Sequence, residues 1–212
     1  MSGDLPLADV ISQRPVTSSE TVFHGKVWDV KREVVDLGRA GSVTRDFVKH
    51  PGAVGILALD DDGRVPLVHQ YRHPVGMVMW ELPAGLLDVD GEPPLEAAQR
   101  ELAEEADLRA GRWDTLIDWV LSPGGTSEVF RCYLARDLSP VPEDERHERE
   151  GEELDMPTQW FDLDEVHAAV LEGRLNSPSL VVGVLAAHAS RAAGWTSLRA
   201  ADADWPERGA RR

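Results

Sequence analysis

Glu101, Glu104 and Glu105 fall within five residues, in the run Arg100-Glu101-Leu102-Ala103-Glu104-Glu105-Ala106-Asp107-Leu108. On a helix of 3.6 residues per turn these carboxylates share an arc of roughly 100°. Glu101 then neighbours Glu104 at i,i+3 and Glu105 at i,i+4. Like charges so placed destabilise a helix by roughly 0.2–0.5 kcal/mol per pair, and Arg100, four residues before Glu104, offsets part of this. Two readings follow. In one, the cluster is a solvated face of a chain that carries 38 Asp and Glu. In the other, a divalent cation supplies the missing positive charge. Several carboxylate oxygens suit Mg²⁺ or Mn²⁺, which keep some waters and share phosphate oxygens of a substrate.

A helix over 93–106 positions these groups. Pro93 and Pro94 fit only its first turn, where a missing N–H does no harm. Leu95, Ala98, Leu102 and Ala106 form the apolar stripe that faces the core. Before it the pattern favours strands: several between Thr21 and His50, then the apolar run Gly52–Leu59 as a buried strand. Asp60 to Gly63 reads as a hairpin turn and residues 64–72 as its return strand. Pro66 places that return strand at a sheet edge or bulge. Met79 to Pro83 is a further strand, ended by Ala84-Gly85. After the helix, Trp113–Val120 and Glu128–Ala135 are strand-like, and 139–157 is a long acidic loop. A short strand, Gln159–Leu163, precedes two helices, the second capped at Asn176-Ser177 before Pro178. Residues 1–18 read as a loose arm and the tail from Thr196 as frayed. This order is an α+β or mixed α/β arrangement with helices packed on a sheet.

The 212 residues carry a formal net charge of -16 and are 42% apolar, which suits one domain with a core. Such a field repels nucleic acid and anionic membrane surfaces, so neither is expected as a partner. A phosphorylated substrate needs local cations to reverse it. Cys132, the single cysteine, allows no intramolecular disulfide and suits a reducing cytoplasm. No apolar segment is long enough to span a bilayer, and the N-terminus lacks the pattern of a signal peptide.

The string Gly85-x6-Glu92-x7-Arg100-Glu101-Leu102-x-Glu104-Glu105-x-Asp107-Leu108 closely resembles the Nudix box, G-x5-E-x7-R-E-U-x-E-E-x-G-U, where U is a bulky apolar residue. It departs twice. One extra residue separates Gly85 from Glu92, which a loop absorbs. Asp107 stands where the box has a helix-ending glycine. Aspartate visits the left-handed conformation needed there more readily than most residues, so a cost of at most about 1 kcal/mol is expected.

The resemblance implies an α/β fold, the Nudix α/β/α sandwich with a mixed sheet, preceded by a small N-terminal antiparallel β region. Residues 1–50 would be that region and would dimerise, 51–193 the hydrolase domain, and 194–212 a tail. It also implies cation-dependent hydrolysis of a nucleoside diphosphate linked to another moiety, with Mg²⁺ and alternatively Mn²⁺ as the cation. By similarity, Glu101 and Glu105 are metal ligands and Glu104 a further ligand or a bridge through water. The Ala84 carbonyl completes the site beside Gly85, and Glu92 positions the helix by pairing with Arg100.

Pro123, fifteen residues after Leu108, and the string HQYRHPVGMVMWELPAGLLDVDGEPP are similar to bacterial ADP-ribose pyrophosphatases, particularly the actinobacterial type. An ordinary Ser-Pro-Gly-Gly turn also accounts for the proline. Within that subfamily, Arg72 would contact a phosphate or ribose, and Glu81 would contact the ribose or the metal, or make a structural hydrogen bond. The subfamily forms swapped homodimers, in which Arg45 would reach the adenosine site of the partner subunit. Trp28 would stack on adenine or fill a core or interface. The general base would come from the acidic loop, where alignment on Met156 selects Glu153, with Glu152 as runner-up. The resemblance thus implies an ADP-ribose pyrophosphatase giving AMP and ribose 5-phosphate. Another nucleoside diphosphate sugar or a dinucleotide such as NADH is the alternative substrate. A Nudix-like sensor with a dead box is the more distant rival, against which all four box glutamates stand.

Overall fold

The computed structural model describes residues 6–149, 151, 154 and 156–210. Contacts divide the chain into two units. The first comprises Met1–His50, Leu121–Glu128 and Asp204–Arg212, and the second Pro51–Val120 with Val129–Ala203.

In the first unit, β1 (Val16–His24), β2 (Asp29–Asp36) and β3 (Ser42–Lys49) form an antiparallel meander in that order. The first strand begins inside the stretch expected to be a loose arm. Its polar start, Thr17-Ser18-Ser19, shows no apolar alternation. The ladder to β2 holds it all the same, pairing Ser18 with Val34 and Ser19 with Glu33. The Thr17 hydroxyl adds a bond to the Val34 carbonyl at 3.2 Å.

The second unit holds β4 (Ala53–Ala58), β5 (Arg64–Arg72), β6 (Met77–Glu81), β7 (Ala84–Leu86), α1 (Pro94–Ala106), β8 (Leu108–Val120), β9 (Val129–Pro140), β10 (Thr158–Asp162), α2 (Leu163–Leu171), α3 (Pro178–Ala192) and β11 (Arg199–Ala200). Five strands form a mixed sheet in the order β11-β8-β9-β4-β7, with β4 parallel to β9. Three more form an antiparallel sheet, β10-β5-β6. Every residue of β4 is buried, as its unbroken apolar run predicts. Leu57 of β4 joins Leu180 and Val184 of α3 in one core. Val54 and Ile56, which alternate with it along the strand, are equally buried, and α1 also packs on β4. The sheet is therefore covered by helices on both faces.

Asp60 to Gly63 does form a tight loop, with Gly63 N–H bonded to the Asp60 carbonyl at 3.1 Å. The expected hairpin is wrong, because β4 and β5 belong to different sheets. Both edges of β4 are taken by β7 and β9, so β5 pairs with β10 and β6 instead. The middle strand of its sheet is thus β5, not an edge strand. Pro66 is tolerated because β6 pairs only with Val68–Arg72, leaving Pro66 a single neighbour, Trp160. The strand before Ala84-Gly85 ends at Glu81, as expected, and Ala84 starts β7, antiparallel to β4. Ser177 is the N-cap of α3, but its hydroxyl meets that of Ser179 at 3.2 Å, with no side-chain cap bond.

The tail is less frayed than expected. Arg199–Ala200 pairs with β8. The Thr115 hydroxyl donates to the Ala200 carbonyl at 2.9 Å, and the buried Arg131 donates to the Ala203 carbonyl at 2.7 Å. Asp118 holds both Arg131 and Arg199. These polar anchors explain why hydrophobic periodicity missed the docking. The first unit contains a last short helix, α4 (Pro206–Gly209). No helix among the described residues is long and apolar enough to cross a membrane.

Candidate active site

The carboxylate cluster lies on α1, which begins at Pro94 with Pro93 as its N-cap residue. Ala97, Ala98, Leu102 and Glu105 are its buried residues. The inward face is therefore rotated from the expected stripe: Leu95 and Ala106 are only half-buried, and a glutamate points inward beside Ala98 and Leu102. A buried carboxylate requires donors. Glu105 Oε2 finds one in the Ala84 N–H at 2.9 Å. The peptide before Gly85 is itself fixed, because the Pro83 carbonyl accepts from Ile56 N–H at 2.8 Å.

Gly85 makes room for Glu101. A Cβ at residue 85 would sit 1.9 Å from Glu101 Oε1 and 2.0 Å from its Cδ. Only the residue without a side chain lets β7 and α1 bring these groups together.

Arg100 is the hub of the cluster. Its Nε and Nη2 donate to the two oxygens of Glu92 at 3.0 and 3.1 Å. Its Nη1 donates to Glu101 Oε1 at 2.6 Å and Glu104 Oε2 at 3.0 Å. The hydrogen bond from Arg100 holds the Glu92 carboxyl below its ordinary range. In turn Glu92, then Glu101 and Glu104, raise the guanidinium above its ordinary value. One cation thus faces three carboxylates, which relieves the repulsion among them.

Among the described residues, no three Asp, Glu, His or Cys side chains already converge as metal ligands. Arg100 holds Glu101 and Glu104, while Glu105 is turned to the Ala84 N–H. The donor set nonetheless fits a hard divalent cation: three carboxylates close together on one helix, all oxygen.

Two further candidates bind each other. Arg72 Nε and Nη2 donate to Glu81 Oε1 and Oε2 at 3.0 and 2.7 Å, a bidentate pair. Glu81 is buried and Arg72 is half-exposed. Arg45 and Trp28 belong to the first unit. Arg45 lines a cleft of about 240 Å³ with Pro123, Glu33 and Phe47. Two residues singled out separately in the sequence thus share one cleft. Trp28 stacks on His50, with ring centroids 4.3 Å apart, so one face of the indole is already occupied. Burial pushes His50 down to about 4, which keeps that partner neutral. Glu152 and Glu153 lie outside the described residues.

Comparison with known proteins now bears on this geometry. The NUDIX domain model matches residues 49–180. Over 191 residues the chain is 44% identical to the ADP-ribose pyrophosphatase of Mycobacterium tuberculosis, covering 90% of each. The chain belongs to the Nudix hydrolase family. It is also 39% identical over 126 residues to the ADP-ribose pyrophosphatase of Bacillus subtilis, spanning 59% of this chain and 68% of that one. A crystal structure of an ADP compounds hydrolase superposes with a TM-score of 0.70 at 20% identity, over 88% of this chain and 99% of that one, and shares the fold. Nudix hydrolases generally need a divalent metal, which agrees with the all-oxygen donor set on α1.

The helix-ending position of the Nudix box is occupied as expected. Asp107 is left-handed, at φ 54° and ψ 35°, and its N–H donates to the Leu102 carbonyl. Sequence reasoning missed what meets it. Arg149, within the acidic loop, donates to Asp107 Oδ2 at 3.0 Å. The available signal was the want of any basic residue in the last turn of α1.

Proposed function

We propose that this Nudix hydrolase cleaves the pyrophosphate of ADP-ribose to AMP and ribose 5-phosphate, with Mg²⁺ as its cation and Mn²⁺ as the alternative. The observation that carries the reading is the gathering of Glu101 and Glu105 of α1 against the Ala84-Gly85 backbone, with Glu104 joined to Glu101 through Arg100. The choice of substrate draws on the relatives named ADP-ribose pyrophosphatase.

Glu101, Glu104, Glu105 and the Ala84 carbonyl would hold the cation. When bound, it supplies charge neutralisation at the pyrophosphate and a lowered pKa for an attacking water. The chain's own groups do the rest. Glu92 locks Arg100, and Arg100 orients Glu101 and Glu104. Glu81 fixes the plane of the Arg72 guanidinium, which then presents a set cationic face to a phosphate or ribose. Arg45 would reach the adenosine site of the partner subunit, Trp28 would stack on adenine, and Glu153, or in its place Glu152, would take the proton of the water.

We also place the protein in the cytoplasm as a homodimer. Phe23 and Val27 of the first unit are 62% and 64% exposed, apolar surface that a second copy would cover.

Product analysis by liquid chromatography tests the reading, with ADP-ribose and a panel of sugar nucleotides, with and without Mg²⁺, on wild type and Glu105→Gln. AMP formation that needs Mg²⁺ and collapses in the variant is expected. Undiminished cleavage by Glu105→Gln would overturn the metal assignment. Turnover of a sugar nucleotide without turnover of ADP-ribose would overturn the substrate.

A further inference from the structure

The C-terminus of α1 presents an electrostatic problem. Its last carbonyls lack intrahelical partners and carry the negative end of the helix dipole. Glu101, Glu104, Glu105 and Asp107 add charge of the same sign, and the last turn contains no basic residue. The compensation comes from elsewhere in the chain. Arg149 Nη2 donates to the Glu105 carbonyl and to Asp107 Oδ2, each at 3.0 Å, while its Nε reaches the Glu104 carbonyl at 3.4 Å. The Thr158 hydroxyl donates to the same Glu105 carbonyl at 3.2 Å, and Val141 N–H to the Asp107 carbonyl at 2.8 Å. Both members of the ion pair are half-buried, with side chains 28% and 29% exposed. A glycine at residue 107 offers no carboxylate, so this contact exists only because the box glycine is replaced.

We propose that Asp107 and Arg149 form a positioning pair that holds the backbone of Glu104 and Glu105, and thereby sets their carboxylates for the cation. The inference rests on the reading that these carboxylates bind metal. Arg149 touches the backbone of both residues and acts through them. Geometry and field make opposite demands here. The positive charge of Arg149 repels a nearby cation, so deleting it for its field alone would tighten metal binding. A positioning role requires that deletion weaken it.

The test is calorimetric titration of the full chain with Mn²⁺, without substrate. It compares wild type, Arg149→Ala, Arg149→Lys, Asp107→Asn and the double variant Asp107→Asn/Arg149→Ala. Loss of such an outer partner is expected to weaken Mn²⁺ binding by about tenfold in Arg149→Ala. Arg149→Lys and Asp107→Asn preserve size and some hydrogen bonding, and each is expected to lose about threefold, the scale of a partly exposed ion pair. The double variant should bind no more weakly than Arg149→Ala, because the pair acts as one unit. Unchanged or tighter binding in Arg149→Ala, Arg149→Lys and Asp107→Asn would overturn the pair while leaving the metal site standing, as would simple additivity in the double variant. A wild type that binds no Mn²⁺ would overturn the metal reading itself, and this inference with it.

Discussion

Gly85→Ala offers a sharp test of how the carboxylate cluster is built. No positive φ applies at this residue, so alanine brings no backbone strain. The difficulty is spatial: the new methyl would lie 1.9 Å from Glu101 Oε1 and 2.4 Å from its Cγ. Ordinary contact requires that oxygen to retreat by about 1.5 Å. Such a move breaks its 2.6 Å hydrogen bond from Arg100. The side chain is flexible, so the fold should give way cheaply, with an off-rotamer cost of about 0.5–1.5 kcal/mol. For a chain of this size that lowers the melting temperature by roughly 2–4 °C per kcal/mol. Activity should suffer far more, because misplacing a reacting group by about 1 Å costs on the order of 100-fold. Steady-state kinetics with ADP-ribose and Mn²⁺ titration should therefore both report large losses beside a small calorimetric shift. Gly209→Ala, where an added Cβ meets nothing within 4 Å, is the control. A Gly85→Ala enzyme with full rate and full metal affinity would refute the claim that Glu101 must occupy that space.

The Glu92–Arg100 pair makes stability depend on pH. Arg100 depresses the Glu92 carboxyl below its ordinary value of 4.5, so its stabilisation is present above that value and is lost as pH falls through the lower folded value. Glu92→Gln should therefore be less stable than wild type at pH 7 by urea unfolding, and the gap should close in strong acid; a gap that widens there would contradict the sign. Arg131, 2% exposed and paired with Asp118, should cost about 1–3 kcal/mol when changed to alanine, because the Ala203 carbonyl loses its donor and Asp118 keeps only Arg199. Denaturant titration checks this, and a loss below 1 kcal/mol would show the pair to be dispensable. Cys132 is fully buried, and burial pushes its thiol up to about 12. It should resist a thiol reagent such as dithiobis-nitrobenzoate in the folded protein and react stoichiometrically in guanidinium; rapid labelling of the native protein would disprove the burial.

Much of the site was legible because it is local. Glu101, Glu104 and Glu105 share an arc simply because a helix turns every 3.6 residues, and the prolines at its start and Asp107 at its end obey rules of backbone conformation that neighbours in sequence settle. The buried strand β4 was legible for the same reason, as an unbroken apolar run. Errors arose where a segment had to choose among distant partners. The loop at Asp60 to Gly63 looks like a hairpin, yet β4 already has β7 and β9 on its edges. The tail looked frayed because its anchors are a hydroxyl, a buried arginine and an aspartate, none of which leaves a hydrophobic period.

By itself the sequence determined which groups carry charge and which of them lie on one helical face, since covalent spacing and helical pitch suffice for that. Only the tertiary structure decided that Glu105 turns inward to an N–H 21 residues away, that Gly85 makes way for Glu101, that Arg72 is clasped by Glu81, and that Arg149 meets Asp107. Each of these joins groups distant in the chain. Such contacts form where packing brings elements together and partly withdraws polar groups from water, so that each is left to find its partner within the protein.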